Sequence, residues 1–318
     1  MRKRVRADRL LRAFRRAGRR AHLVGTVEAG VIAALDLEGR LFTVLEGEVL
    51  NRVNLEAVAG QSTRELYLNP GGDGLWPAPE GTTLGYQYAA GAWRVPPGVR
   101  SARYLLAGVR DHGAAMTAEV DLINNQGAGV PALFGREISV EAGPRKIRVT
   151  VTESIVYLGT RPLSEGEVSL APWSLCQFDC GPGCDVVFPA ADRAAVWDLY
   201  GPPDVGRLIW EDGRCRAITD GSGRYQIALA AEIPWLEFRD PRAGLTVRRS
   251  AGPLPEGQAY LDIRDAPPAA PPAGKGVRYS VYSDTSGFME IEAAGGCPRR
   301  LEPGAELKIT VVTEFLKT

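Results

Sequence analysis

Apolar and polar residues alternate with a period of two along most of the chain. In Lys146–Leu158 the sequence KIRVTVTESIVYL sets Ile147, Val149 and Val151 against Arg148, Thr150 and Thr152, the mark of a strand with one buried and one wet face. Similar segments recur from residue 22 to the C-terminus, among them REISVEAG, EVSLAPWSLCQFDC, GRYQIALAA, RYSVYSD, GFMEIEAAG and ELKITVVTEFL. Turn residues separate them: Gly25, Gly30, the Glu38-Gly39 pair and Asp220-Gly-Ser-Gly223, the last read as a hairpin turn. Helical periodicity is confined to residues 5–17, where Val5, Leu10, Leu11 and Phe14 share one side, and to a helical turn in RAAVWDLY near 193–200. The spacing of strands and turns predicts an all-β fold, a large antiparallel β-sandwich. No internal repeat of propeller length is present.

Composition agrees. Gly 37 and Pro 23 punctuate apolar runs instead of clustering, and 45% hydrophobic residues supply a core. The Pro/Ala-rich stretch at 266–276 is followed at once by strand-like sequence, so it reads as a loop inside one domain.

Formal charge sums to zero, but residues 2–20 hold ten Arg or Lys and one Asp, which leaves 28 basic and 37 acidic residues elsewhere, about −9. This divides the chain into a basic N-terminal arm, 1–21, read as a solvated tail whose loss leaves folding intact, and a β domain, 22–318. An acidic body is a poor match for phosphate backbones, so no nucleic acid is expected as partner. No apolar run reaches the ~18 residues of a membrane span, and the basic start lacks the apolar core of a secretory signal; a cytoplasmic protein with no membrane partner is the expectation. Oligomeric state is not legible.

Three ordered segments carry a resemblance. The first is Asn69-Pro-Gly-Gly-Asp73-Gly-Leu-Trp76-Pro-Ala-Pro-Glu80, the second Leu170-Ala-Pro-Trp173-Ser-Leu-Cys-Gln177-Phe. The third is Tyr282-Ser-Asp with Gly287-Phe-Met-Glu290-Ile-Glu292 and Leu301-Glu-Pro-Gly304, and Gly223-Arg-Tyr225-Gln also fits. In this order they resemble the galactose mutarotase-like, or aldose 1-epimerase-like, superfamily, in a branch with a Gly-Gly-Asp-x-Leu-Trp-Pro-Ala-Pro-Glu pattern. The resemblance spans roughly residues 22–318. It implies a supersandwich of two large antiparallel sheets with a sugar in a cleft on one face, a monosaccharide or sugar derivative as partner and no cofactor.

Mutarotation needs a base for the anomeric hydroxyl proton and an acid for the ring oxygen. The resemblance implies Glu292 as base, with Glu290 two residues away on the same strand face. Two carboxyls so placed raise one pKa toward a useful range, unless both are solvent-facing. The family's histidines are missing: His22 opens a strand, His112 lies in a turn, and the two segments concerned hold Trp93-Arg94 and Pro172-Trp173-Ser174. Candidate sugar contacts are Trp76, Trp93 and Trp173 for stacking, with Asn69, Asp73, Glu80, Arg94 and Gln177 for hydroxyls. Trp197, Trp210 and Trp235 are assigned to the core or to interfaces. Two further functions stay open: a sugar-binding or sensing protein without catalysis, and a hydrolase or lyase using paired carboxylates such as Glu80 with Glu290 or Glu292. Cys176, Cys180 and Cys184 are spaced by three residues without a second knuckle, so no metal is expected.

Overall fold

The computed structural model describes residues 4–63, 65–86, 95–190 and 192–318. Two ten-stranded antiparallel sheets lie face to face, as the alternation requires. The front sheet runs His22–Gly25, Ala29–Ala34, Arg40–Leu45, Asp73–Ala78, Ala171–Asp179, Phe288–Ala294, Tyr279–Asp284, Tyr225–Leu229 and Val196–Asp198, with Glu48–Val49 beside Arg40–Leu45. The back sheet runs Leu208–Glu211, Arg214–Ile218, Asp185–Pro189, Leu236–Asp240, Leu245–Ala251, Glu306–Lys317, Lys146–Tyr157, Gly129–Gly143, Gly113–Ile123 and Leu105–Arg110. Alternate residues of both sheets interlock between them, including Leu75, Met116, Ile147, Phe178, Phe238, Ile291 and Phe315.

That core also holds charge. Asp73 and Ser174 point inward from the front sheet to meet Arg136, Glu153 and Arg249 from the back sheet. Asp73 pairs with Arg136 at 2.7 Å and with Arg249 at 2.6 Å, while Glu153 takes Arg136 at 2.6 and 2.9 Å. The Ser174 hydroxyl donates to Glu153 at 3.1 Å. Two cations meet two carboxylates, so the cluster is neutral where burial makes an uncompensated charge costly.

Several local expectations are revised. The segment around Trp76 is a buried strand despite its glycines and prolines. It pairs with Arg40–Leu45 only at Leu41↔Asp73, and thereafter with Ala171–Asp179 alone, where Pro77 sits opposite Pro172. The free flank beyond Asp73 is what admits Pro77. Asp220–Gly223 is a crossing and not a hairpin, since the strands it joins belong to different sheets. The segment near 193–200 makes a 3-10 turn, Arg193–Ala195, and then a strand, Val196–Asp198. Trp197, Trp210 and Trp235 are only half-buried, each under a cation: Lys275, Arg193 and Arg248 respectively.

The basic N-terminal segment forms a helix, Ala7–Arg16, that is packed and not solvated. Ala7, Leu10 and Phe14 are buried against Ile32, Ala34, Phe42, Val44 and Val49 on the outer face of the front sheet and against Val58 of the short helix Leu55–Ala59. Arg4 donates to the Leu50 carbonyl at 2.6 Å, and Arg20 pairs with Asp36 at 2.6 Å. Loss of this helix uncovers an apolar sheet face. Phe14→Ala is therefore expected to cost about 3 kcal/mol, read as a lowered midpoint in urea unfolding; an unchanged midpoint would mean that the helix does not belong to the folded unit.

Candidate functional site

The outer face of the front sheet carries a cleft of about 200 Å³ beside the N-terminal helix. Its floor follows from strand alternation. Residues 74 and 76, 173, 175 and 177, 290 and 292, and 280 and 282 project outward, while the residues between them enter the core. Register then aligns them. Trp76 lies opposite Trp173, Leu175 is flanked by Gly74 and Glu292, and Gln177, Glu290 and Tyr282 form a row continued by Gln226.

Glu290 and Glu292 form the floor, 6% and 1% exposed. Their carboxyls act on each other directly, each bearing on the other's affinity for a proton. Gln226 Nε2 donates to Glu292 Oε2 at 3.1 Å, and the Ser280 hydroxyl donates to the same oxygen. Burial pushes Glu290 well above the ordinary carboxyl value of 4.5, and neighbouring Glu292 pushes it further. Burial also raises Glu292, against the donors Ser280, Glu290 and Gln226 that favour its charged form. The pair is thus split by environment: Glu290 is raised the further, while the donors gathered on Glu292 favour its charged form.

Trp76 and Trp173 make the apolar wall, edge to face with ring centroids 6.5 Å apart. Arg40 closes one side. Its guanidinium is anchored by Glu38 at 2.9 Å and Tyr67 at 3.0 Å, and it rests flat on Gly74, where a Cβ would come within 2.6 Å of Nη1. Burial opposes the Arg40 charge, but Tyr67 and Glu38 outweigh it and its pKa is raised. At the rim, Arg224 donates to Tyr282 at 2.9 Å and to Tyr200 at 2.6 Å, and Tyr282 donates to Asp284 at 2.5 Å. Arg40 Nη1, Trp173 Nε1 and Gln177 Oε1 are buried cleft-lining atoms without a hydrogen-bond partner of normal geometry. Buried polar groups are rarely left so. Donors and an acceptor together suit a ligand with hydroxyls.

Six expected site residues converge here: Trp76, Glu80, Trp173, Gln177, Glu290 and Glu292. Asp73 does not, because it lies three residues from Trp76 on the strand and faces the opposite way, into the charge cluster; both of its oxygens are occupied there. Asn69 lies outside the cleft, its Oδ1 accepting from Gly71 N at 3.0 Å to shape the Gly71-Gly72 turn. Both glycines have positive φ, 81° and 75°, and a Cβ on Gly71 would strike the Arg52 carbonyl at 2.2 Å. Trp93 and Arg94 lie outside the described residues. No histidine lines the cleft among the described residues; His112 is exposed in its turn. The five cysteines are free. Arg40, Tyr200, Arg224, Gln226, Asp265, Ser280 and Tyr282 were not singled out from sequence, although strand parity counted from Glu292 reaches Ser280 and Tyr282 once their pairing is known.

A two-sheet β-sandwich with an acid-floored, aromatic-walled cleft on one outer face defines the class. Its fold is galactose mutarotase-like. The chain is similar to the Slr1438 protein from Synechocystis sp. PCC 6803, with TM-score 0.58 and 14% identity over 94% of this chain and 96% of that one. It is equally similar to a galactose mutarotase-like protein from Lactobacillus casei ATCC 334, TM-score 0.58 and 12% identity over 93% and 100% of the two chains. A galactose mutarotase related enzyme from Lactobacillus acidophilus follows at TM-score 0.51 and 10% identity over 94% and 97%. At these identities the likeness is one of fold. No protein-family model and no curated protein matches the sequence significantly.

Two outcomes follow from this geometry. A carboxyl whose folded pKa is raised keeps a proton that the unfolded chain releases above the ordinary value of 4.5, so folding stability falls as pH rises from there toward the folded pKa. Glu290→Gln keeps a neutral group of the same shape and is expected to flatten that decline, measured as melting temperature against pH; an unaltered slope would place the titration elsewhere. Gly74→Ala displaces the Arg40 guanidinium without deleting it, since the backbone there is ordinary and the clash is with a side-chain end. It should match Arg40→Ala in weakening any cleft ligand while sparing most stability, as read by ligand titration and by melting.

Proposed function

We propose that the cleft binds a monosaccharide or sugar derivative and interconverts its anomers, with Glu292 as base and Glu290 as acid. The observation that carries this is the buried Glu290–Glu292 pair, with donors gathered on Glu292 alone, on the floor of a Trp-walled cleft. Mutarotation moves one proton off the anomeric oxygen and one onto the ring oxygen, and these are adjacent atoms. A carboxylate and a carboxylic acid side by side supply both roles at once. Glu292 takes the O1 proton as the C1–O5 bond breaks, and Glu290 delivers its proton to O5. The open-chain aldehyde rotates about C1–C2, and closure on the other face returns each proton. The acid that the family draws from histidine is here a carboxyl kept neutral by burial.

Ser280 and Gln226 donate to Glu292, which favours its charged form and fixes its direction. The flat indole faces offer the C–H side of a pyranose a surface to stack on, and the unpartnered Arg40, Trp173 and Gln177 atoms supply hydrogen bonds to hydroxyls.

Proton exchange spectroscopy of α and β anomers over a panel of aldoses tests the reading. The wild-type protein is expected to accelerate interconversion of at least one. Glu292→Gln should lower the rate by roughly 100-fold or more, the scale of one general base, while the sugar still shifts the melting temperature. Binding without acceleration would remove the isomerase role and leave a sugar-binding protein.

A further inference from the structure

The N-terminal helix lies on the same outer sheet face as the cleft, so its solvent side looks the way the cleft opens. The inner side is spent on packing. On the outer side Arg9, Arg12, Arg15 and Arg16 are exposed. Arg12 pairs with Asp8 at 2.7 Å, and Arg9, Arg15 and Arg16 have no ion-pair partner among the described residues. The other described arginines of the arm are tied down: Arg4 on Leu50, Arg6 on Glu46, Arg19 on Gly60 and Arg20 on Asp36.

Local helix electrostatics does not explain the free ones. Arg15 and Arg16 in the last turn complement the helix dipole, but Arg9 sits in the first turn, where a cation is unfavourable. Nor is the patch part of a generally basic surface, because the rest of the chain carries about −9. An isolated row of arginine forks on an acidic protein fits anionic groups held bidentately.

We infer that the ligand is the reducing end of an anionic glycan: an uncharged terminal ring enters the cleft, and acidic groups on later residues lie along Arg9, Arg15 and Arg16. This rests on the sugar reading of the cleft. The ring in the cleft is uncharged because Glu80, Asp265, Glu290 and Glu292 outnumber Arg40 and Arg224 along its lining, and Arg40 is already paired with Glu38. A membrane surface is the poorer occupant, since the helix has no apolar side left to insert. Nucleic acid is poorer too, as the acidic body around the patch repels a continuous phosphate backbone.

The probe is maltohexaose sulfated away from its reducing end, with unsulfated maltohexaose as the neutral control, measured by calorimetry at two salt concentrations on the full chain. The sulfated form should bind at least about tenfold tighter, and the difference should shrink with salt. Replacing Arg9, Arg15 and Arg16 together by Gln should abolish the difference, and the matching Lys variant should restore most of it, with glucose anomer exchange unchanged in both. Equal binding of the two glycans, or a preference that survives in the Gln variant, overturns the inference. Arginine-dependent binding of a DNA duplex or of phosphatidylserine vesicles tighter than of the sulfated glycan overturns it as well. Failure of the cleft reading shows separately, as no aldose exchanging anomers or shifting the melting temperature.

Discussion

The contact on which the site depends lies behind it. Asp73, Ser174, Arg136, Glu153 and Arg249 join the two sheets directly under the cleft floor. Asp73 precedes Gly74, on which Arg40 rests, and Ser174 separates Trp173 from Leu175. An apolar core tolerates small slides of one sheet over the other, because dispersion has little direction. Five hydrogen-bonded side chains from both sheets do not, since each bond has a fixed length and angle. A buried ion cluster is weak evidence for stability, and removal of one partner strands a charge. Its value here is positional: it fixes the strands whose other faces carry Trp76, Trp173 and Leu175.

Period-two geometry explains both what the sequence disclosed and what it concealed. Trp173, Gln177, Glu290 and Glu292 are legible because each pair is separated by an even number on one strand, so one cleft-facing member fixes the other. The same rule rejects Asp73, three residues from Trp76, but it applies only if 73–78 is a strand. Gly74 and Pro77 argue against a strand until the missing partner beyond Asp73 is seen. Arg40 is concealed differently. It begins a strand that reads as buried core, and its anchors Glu38 and Tyr67 are meaningful only through a fold that carries Tyr67 back to it. Tyr200 lies where the chain leaves the front sheet and Arg224 where it returns, on either side of the back-sheet strands Leu208–Glu211 and Arg214–Ile218, which no local pattern reveals.

The N-terminal arm shows where composition misleads. Ten basic residues in nineteen suggest a solvated tail, yet three apolar side chains at helical spacing decide its position. Burial of Leu10 and Phe14 contributes roughly 1.5–3 kcal/mol each. Exposed arginines lose little by standing in water on the other side, so charge count and docking do not compete. The front sheet needs such a cover, because Ile32, Phe42 and Val44 continue its outer face past the end of the cleft.

The cleft also bears on how a carboxyl can stand in for an imidazole. A histidine acid suits pH 7 through its intrinsic pKa, whereas a glutamic acid reaches that range only if its charged form is penalised. The penalty comes from burial first and a like charge second. Both are present at Glu290, which faces Glu292 in a site walled by two tryptophans. Donors are distributed unequally to match: Ser280 and Gln226 serve Glu292. A ring bound over the pair removes water from it and steepens the split, since Coulomb terms grow as the local dielectric falls. Under the proposed mechanism acid and base therefore become most distinct when a sugar is in place, and burial with a like charge takes over the part that a histidine plays.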